Sequence, residues 1–268
     1  MAALRRLERV NAGALGTALD FSGRVVLVTG GTKGIGRSIA ARFEEAGATV
    51  VVCGRTKPDD DADVAGRFIT CDVRDPEQVG AMVSDIATSE ERLDVVVNNA
   101  GGSPIADTAT ASPRFTESII RLNLLAPLHV AQAVNRIMQG QDDGGSIVNI
   151  SSVSGIRATP NAAAYGAAKA GLLNLTQTLA VEWAPRVRVN AVTVGLVRTE
   201  QANLHYGNEA AIAAVGATVP LGHMAEPIAV ADACVFLASP LASYISGANL
   251  LVHGGGERPA YLNAADPR

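Results

Sequence analysis

The stretch Val25-Val26-Leu27-Val28-Thr29-Gly30-Gly31-Thr32-Lys33-Gly34-Ile35-Gly36 decides the fold. Residues 25–29 are apolar or β-branched without alternation, the pattern of a strand buried on both faces. Glycines at 30, 34 and 36 then permit a tight turn, and a helical pattern runs to residue 46, where Gly47 ends it. Working outward, short apolar runs recur at 49–53, 67–70, 93–97, 146–150, 187–192 and 249–252, with helical segments between them. Strands alternating with helices make right-handed βαβ units. The expectation is an α/β fold, a doubly wound, parallel, seven-stranded sheet with helices on both faces.

Composition fits one domain. The chain has 268 residues, 48% hydrophobic and 18% charged, enough for a substantial core and too apolar for disorder. Aromatics are 4% against 27 glycines, so the core must be aliphatic and close-packed. A formal net charge of −4 lacks the basic footprint of a nucleic-acid binder. Cys53, Cys71 and Cys234 form no metal-ligand or disulfide pattern, so no metal is expected and a reduced, cytoplasmic compartment fits. Residues 233–252 lack charge but contain Pro240, Gly247 and Asn249, which argues for helix, turn and strand and against a membrane span. Residues 1–20 carry Leu4, Leu7 and Val10 at helical spacing but no secretory signal, and read as an extension. Residues 21–256 form the domain and 257–268 a tail.

The glycine turn leads from a strand into a helix whose free N–H groups attract phosphate, so the loop suits a dinucleotide's pyrophosphate. Its Gly-x-x-x-Gly-x-Gly spacing differs from the Gly-x-Gly-x-x-Gly fingerprint. At the end of the second strand an NAD site usually places a carboxylate. Here Gly54 and Arg55 stand there, and Lys33 lies in the loop, two cations suited to a 2′-phosphate. NADP(H) is therefore favoured over NAD(H).

Tyr165 and Lys169 share one face of the helical segment 162–183, where an ammonium favours the phenolate of a tyrosine whose free pKa is about 10. Ser152 ends the preceding strand, thirteen residues earlier, and could polarise a carbonyl; Ser151 and Ser154 compete with it.

With the glycine loop, Asn98-Asn99-Ala100-Gly101, Ser152, Tyr165 with Lys169, and Arg188-Val189-Asn190-Ala191 in order, residues 21–256 resemble the short-chain dehydrogenase/reductase family in its single-domain Rossmann form. That resemblance implies a sheet order of 3-2-1-4-5-6-7 and hydride transfer at the nicotinamide C4. It implies Tyr165 as acid/base, Ser152 orienting the carbonyl, Lys169 lowering the tyrosine pKa and binding the ribose, and Asn123 holding a relay water. Gly30, Thr32, Lys33, Gly34, Ile35 and Gly36 would form the pyrophosphate loop. Asp72 and Val73 would flank the adenine, with Asn99, Ala100 and Gly101 beside its ribose. Gly195, Val197 and Thr199 would face the nicotinamide. The family also implies a homotetramer, here with Ala164, Ala167, Ala168 and Gly171 as candidate contacts, unless these pack within the chain.

Two departures stand out: Val194-Gly195 replaces Pro-Gly, and His253-Gly254-Gly255-Gly256 replaces Asp-Gly-Gly. Residues 200–219 should form a lid, apolar and free of Lys and Arg, which favours a small hydrophobic alcohol or ketone. Within the family a 3-oxoacyl thioester ranks first, with steroids or other hydroxy compounds and NAD(H) as the alternative. A non-catalytic dinucleotide-binding regulator is the remote one, since such a protein would be expected to lose Tyr165 or Lys169.

Overall fold

The computed structural model describes residues 15–59, 64–259 and 261. The expected helical spacing of Leu4, Leu7 and Val10, the loop aspartates 60 and 61, and the tail beyond 261 lie outside the described residues.

The strands are β1 (Val25–Thr29), β2 (Thr49–Gly54), β3 (Arg67–Thr70), β4 (Val95–Asn98), β5 (Gly145–Ser152), β6 (Val187–Val194) and β7 (Asn249–Val252). They form one parallel sheet in the order β3-β2-β1-β4-β5-β6-β7. Val26 and Val28 point to one face, where Ile39 and Phe43 of helix α1 (Gly34–Glu45) meet Val230 and Cys234 of a later helix, Pro227–Ala238. Val25 and Leu27 point to the other, with Met82, Ile86, Val130 and Leu179 from the helices Pro76–Glu90, Ala126–Met138 and Ala163–Glu182. All five residues of β1 are buried because both faces are covered, which is why its sequence does not alternate. The fold is doubly wound, as expected.

Several strand boundaries differ from the sequence pattern by one or two residues. Residues 93–94 precede β4, because the Leu93 amide donates to the Gln141 side chain and Asp94 accepts the Val25 amide through its carboxylate. These side-chain bonds add to the backbone bonds that Asp94 keeps with Val25 and Ser146. β5 and β6 each run two residues further than their apolar runs, through Ser151 and Ser152 paired with Thr193 and Val194. Polar side chains there disguise ladder positions whose backbone bonds are intact.

The order reverses between β1 and β4, so the chain leaves these two strands in opposite directions and opens a crevice at their C-terminal ends. Gly30, Asn99, Ser152 and Gly195 each follow or end a strand there, which places the predicted chemistry along one rim.

Candidate active site

The crevice is a cleft of about 890 Å³. Every residue expected to hold a dinucleotide lines it, from Gly30, Thr32, Lys33, Gly34, Ile35 and Gly36 through Arg55, Asp72 and Val73 to Asn99, Ala100 and Gly101. Tyr165, Lys169, Gly195, Val197 and Thr199 line the other end.

The glycine cradle is built by exclusion. A Cβ on Gly36 would lie 2.1 Å from the Gly30 carbonyl oxygen, so only glycine lets the first helical turn close on the loop. Gly30 and Gly34 both have positive φ. Asn99 fastens the far wall, its Nδ2 donating to the Thr29 and Gly30 carbonyls at 2.9 and 3.1 Å, while its amide donates to Thr29 Oγ1 at 3.0 Å. Helix α1 has no acidic residue in its first turn and no side-chain cap from Lys33. Instead the Gly34 amide donates to Glu200 Oε1 at 2.8 Å. A carboxylate therefore stands at the cradle, which shows that these donors accept an anion. The shape and donor set fit a dinucleotide's pyrophosphate.

At the other end, the helix Ala163–Glu182 brings Tyr165 and Lys169 to the end of β5. Lys169 is 3% exposed, and its Nζ donates to the Ile150 carbonyl at 2.7 Å. Burial pushes its pKa down to about 8. Tyr165 is raised above its ordinary value by burial, with the Ser152 hydroxyl pulling the other way. The expected lowering by Lys169 is not what sets the phenol here, because the ammonium is directed at Ile150 and lies 5.7 Å from the ring centroid. Of the three serines, Ser152 is the one at Tyr165. Ser151 is buried with its hydroxyl donating to the Lys169 carbonyl at 3.2 Å, and the Ser154 hydroxyl is bonded to Thr159.

Asn123 does not line the cleft. It lies buried in a π-helical turn, Arg121–Leu125, and its Nδ2 donates to the Gly102 and Ile119 carbonyls while its Oδ1 accepts the Gly102 amide. The side chain thus bolts the 99–102 turn to the helix. Asn123 Oδ1 and Lys169 Nζ crowd the same side of Gly101, where a Cβ would lie 2.8 and 3.3 Å from them.

The small residues proposed for subunit contacts divide. Ala168 is fully buried and Gly171 faces Leu124, so both serve packing within the chain, whereas Ala167 is exposed.

A second cavity, about 120 Å³, opens beside Gly195. Val153, Ile156, Leu196 and Val219 give it apolar walls; Arg157, His253 and Glu257 give it a polar rim. Arg157 and Glu257 are ion-paired, which ties residue 257 to the loop after β5. The lid forms two short helices, Ala202–Tyr206 and Glu209–Ala217, whose Ala202 and Ile212 pack with Met224 in a small core of their own. Leu204 is exposed, while Ala202 and Tyr206 reach the cleft. The His205 side chain lies outside the described residues. Beside the departure at 253, a Cβ on Gly195 would meet His253 Cβ at 2.7 Å, which keeps position 195 a glycine.

Sequence reasoning missed Arg74, Arg157, Glu200 and Glu257. Position offered a signal for three of them: Arg74 follows Asp72 by two, Arg157 follows Ser152 by five, and Glu200 adjoins Thr199.

Comparison with known proteins agrees with this geometry. The family model described as enoyl-(acyl carrier protein) reductase matches residues 30–257. A 3α-hydroxysteroid dehydrogenase of Mediterraneibacter gnavus is 36% identical over 86% of this chain and 96% of its own. A 3-oxoacyl-[acyl-carrier-protein] reductase of Thermotoga maritima is 35% identical over 88% and 99%. Among solved structures, the aldohexose dehydrogenase of Thermoplasma acidophilum superposes with a TM-score of 0.83 at 33% identity, covering 95% of this chain and 98% of that one. With a family match across most of its length and relatives of this coverage, the chain belongs to the short-chain dehydrogenase/reductase family and is an oxidoreductase of alcohol and carbonyl groups.

Proposed function

We propose that this protein is an NADP(H)-dependent reductase that interconverts a carbonyl and a secondary alcohol, with Tyr165 as the acid/base. The observation that carries the proposal is the meeting of Ser152, Tyr165 and Lys169 at one end of a cleft whose other end is a glycine cradle. A nicotinamide cofactor, when bound, supplies or accepts the hydride. Ser152 donates to the carbonyl oxygen and orients it. Tyr165, held protonated by burial, delivers the proton that the reduced oxygen requires. Lys169, fixed on the Ile150 carbonyl, presents an ammonium at the ribose end and limits where the phenol can sit. Asn123 holds the Gly101–Gly102 turn against them.

Arg55 is exposed at the mouth of the cleft beyond β2, with Lys33 across the loop, and no carboxylate occupies the end of β2. These cations support the 2′-phosphate of NADP(H). The apolar walls and polar rim beside Gly195 suit a substrate with an apolar body and a polar head, and 3-oxoacyl thioesters come first in that class. The three cysteines are free and buried, in keeping with a cytoplasmic enzyme. Exposed Val181, Tyr244 and Leu251 support assembly as a homotetramer. No helix among the described residues is long and apolar enough to cross a membrane.

The test is a panel of 3-oxoacyl thioesters, ketosteroids and simple ketones with NADPH and NADH, beside fluorescence titration of both dinucleotides. Turnover with NADPH and its tighter binding are expected. Tighter NADH binding would overturn the cofactor assignment. A panel without turnover would favour a dinucleotide-binding regulator.

A further inference from the structure

Helix α1 opens on donors that its own sequence leaves without an acceptor. Lys33 at the N-cap makes no side-chain cap bond, and no acidic side chain lies in the first turn. Four amides at a helix start need acceptors from elsewhere, and the helix dipole adds a positive end. The acceptor found is Glu200, 166 residues away in sequence, whose Oε1 takes the Gly34 amide at 2.8 Å. The same carboxylate feels the charges of Arg37 and Lys33, which with the Gly34 amide hold it below the usual carboxylate range against the effect of burial.

Glu200 is the root of the lid. Thr199 packs on the cradle, its Cγ2 3.6 Å from where a Gly34 Cβ would stand, and the helix Ala202–Tyr206 begins two residues after Glu200. The contact between Glu200 and Gly34 therefore fastens the lid root directly onto the phosphate-binding turn. A diphosphate in that turn needs the donors and the positive end that Glu200 now uses. Two anions cannot share them at low cost, since like charges a few ångströms apart repel and only one can accept from a given N–H.

We propose that Glu200 is an intramolecular competitor for the pyrophosphate cradle. It latches the lid root onto the cradle, must leave when a dinucleotide enters, and by returning speeds the dinucleotide's departure. The proposal rests on the dinucleotide assignment of the cleft but not on the choice between NADP(H) and NAD(H), because both carry the same pyrophosphate. Its functional consequence is a faster cofactor exchange at the expense of affinity, together with a lid whose position is coupled to occupancy of the cradle.

The test uses the full chain with E200A and E200Q, each checked for native circular dichroism. Glu200 is exposed and outside the core, so neither change threatens folding. Dissociation constants for NADPH and NADH come from fluorescence titration, and release rates from stopped-flow displacement. Removing a charge-assisted acceptor should tighten both dinucleotides by about tenfold, by the same factor for each, and slow their release correspondingly. E200Q keeps an acceptor oxygen without the charge and should fall between wild type and E200A. Adenosine 2′-monophosphate, which carries no diphosphate, should bind all three proteins equally. That control separates competition at the cradle from a general change in the cleft.

Unchanged or weaker dinucleotide binding in E200A would overturn the proposal, as would an equal gain for adenosine 2′-monophosphate. If the wild type binds neither dinucleotide, the assignment of the cleft fails instead. Inorganic pyrophosphate then still decides the role of Glu200, since competition requires it to bind E200A more tightly than wild type.

Discussion

At the catalytic end of the cleft the polar groups are buried and tied to backbone; at the adenosine end the cations stand largely in solvent. Lys169 sits on the Ile150 carbonyl, Ser151 on the Lys169 carbonyl, and Asn123 on Gly102 and Ile119, all in the interior. Lys33, Arg55, Lys57 and Asp59 are exposed. A buried donor bonded to a carbonyl cannot wander without leaving both groups unpaired, so the chemistry inherits the precision of the sheet. An exposed cation contributes a field, which solvent and salt weaken. Substitutions at the first end should therefore act as losses of function, and substitutions at the second as shifts of preference.

Tyr165→Phe tests the first end most severely. Loss of the proposed proton donor should lower turnover by about a thousandfold, while dinucleotide affinity changes less than about twofold. Single-turnover kinetics beside fluorescence titration would show this. An equal collapse of binding would mean that the phenol is structural, and the contrast between the two ends would lose its basis.

Lys169→Met comes next and has a pH signature. In the unfolded chain a lysine keeps its proton to about pH 10.4, whereas the folded value is about 8. Between those values the unfolded state binds more protons, so stability rises with pH across that window. Below pH 8 the buried ammonium costs about 3 kcal/mol, which shrinks as pH climbs towards 10. Urea unfolding at pH 7.5 and pH 10 should show the dinucleotide-free wild type gaining on the methionine variant. A constant difference between them would sink this account of the burial.

The same contrast explains what was legible in the sequence. The seven strands followed from apolar runs, because burial on two faces leaves an unmistakable composition, whereas their order and most of the cleft residues came from what the family resemblance implies. Ser152 was read as the end of β5 from its place before the helix of Tyr165, although the apolar run stops at 150; strand membership there rests on backbone bonds that side-chain character does not report. The partners of Glu200 and Glu257 were not legible for a related reason. Each finds its partner, Gly34 or Arg157, about a hundred residues or more away, and an isolated glutamate carries no periodicity.

At the adenosine end, Arg55→Gln should weaken NADPH binding by about tenfold and leave NADH almost unchanged, as expected for one lost charge-assisted contact to a 2′-phosphate. Parallel titrations with the two dinucleotides would settle it. An equal effect on both would move Arg55 from specificity to general attraction.

Arg74 gives the smallest expected effect and the finest test. Its Nη2 lies 2.5 Å from Asp72 Oδ2 and its Nε 2.9 Å from Oδ1, a two-pronged pair inside the cleft. The Arg74 guanidinium holds the Asp72 carboxyl below its usual range, and Arg55 adds to that from across the mouth. Asp72 thus sits within the field of Arg55. Left unpaired, it would repel a 2′-phosphate and draw Arg55 toward itself. Arg74→Gln should raise the NADPH dissociation constant about threefold without touching NADH, a size typical of a partly exposed pair. Adding Asp72→Asn should restore the wild-type ratio, because the charge that Arg74 neutralised is then gone. Lost packing predicts otherwise: both dinucleotides would weaken together, and Asp72→Asn would rescue neither. If that is the pattern, the adenosine end is held by contacts much like the catalytic end, and the division between geometry and field fails there.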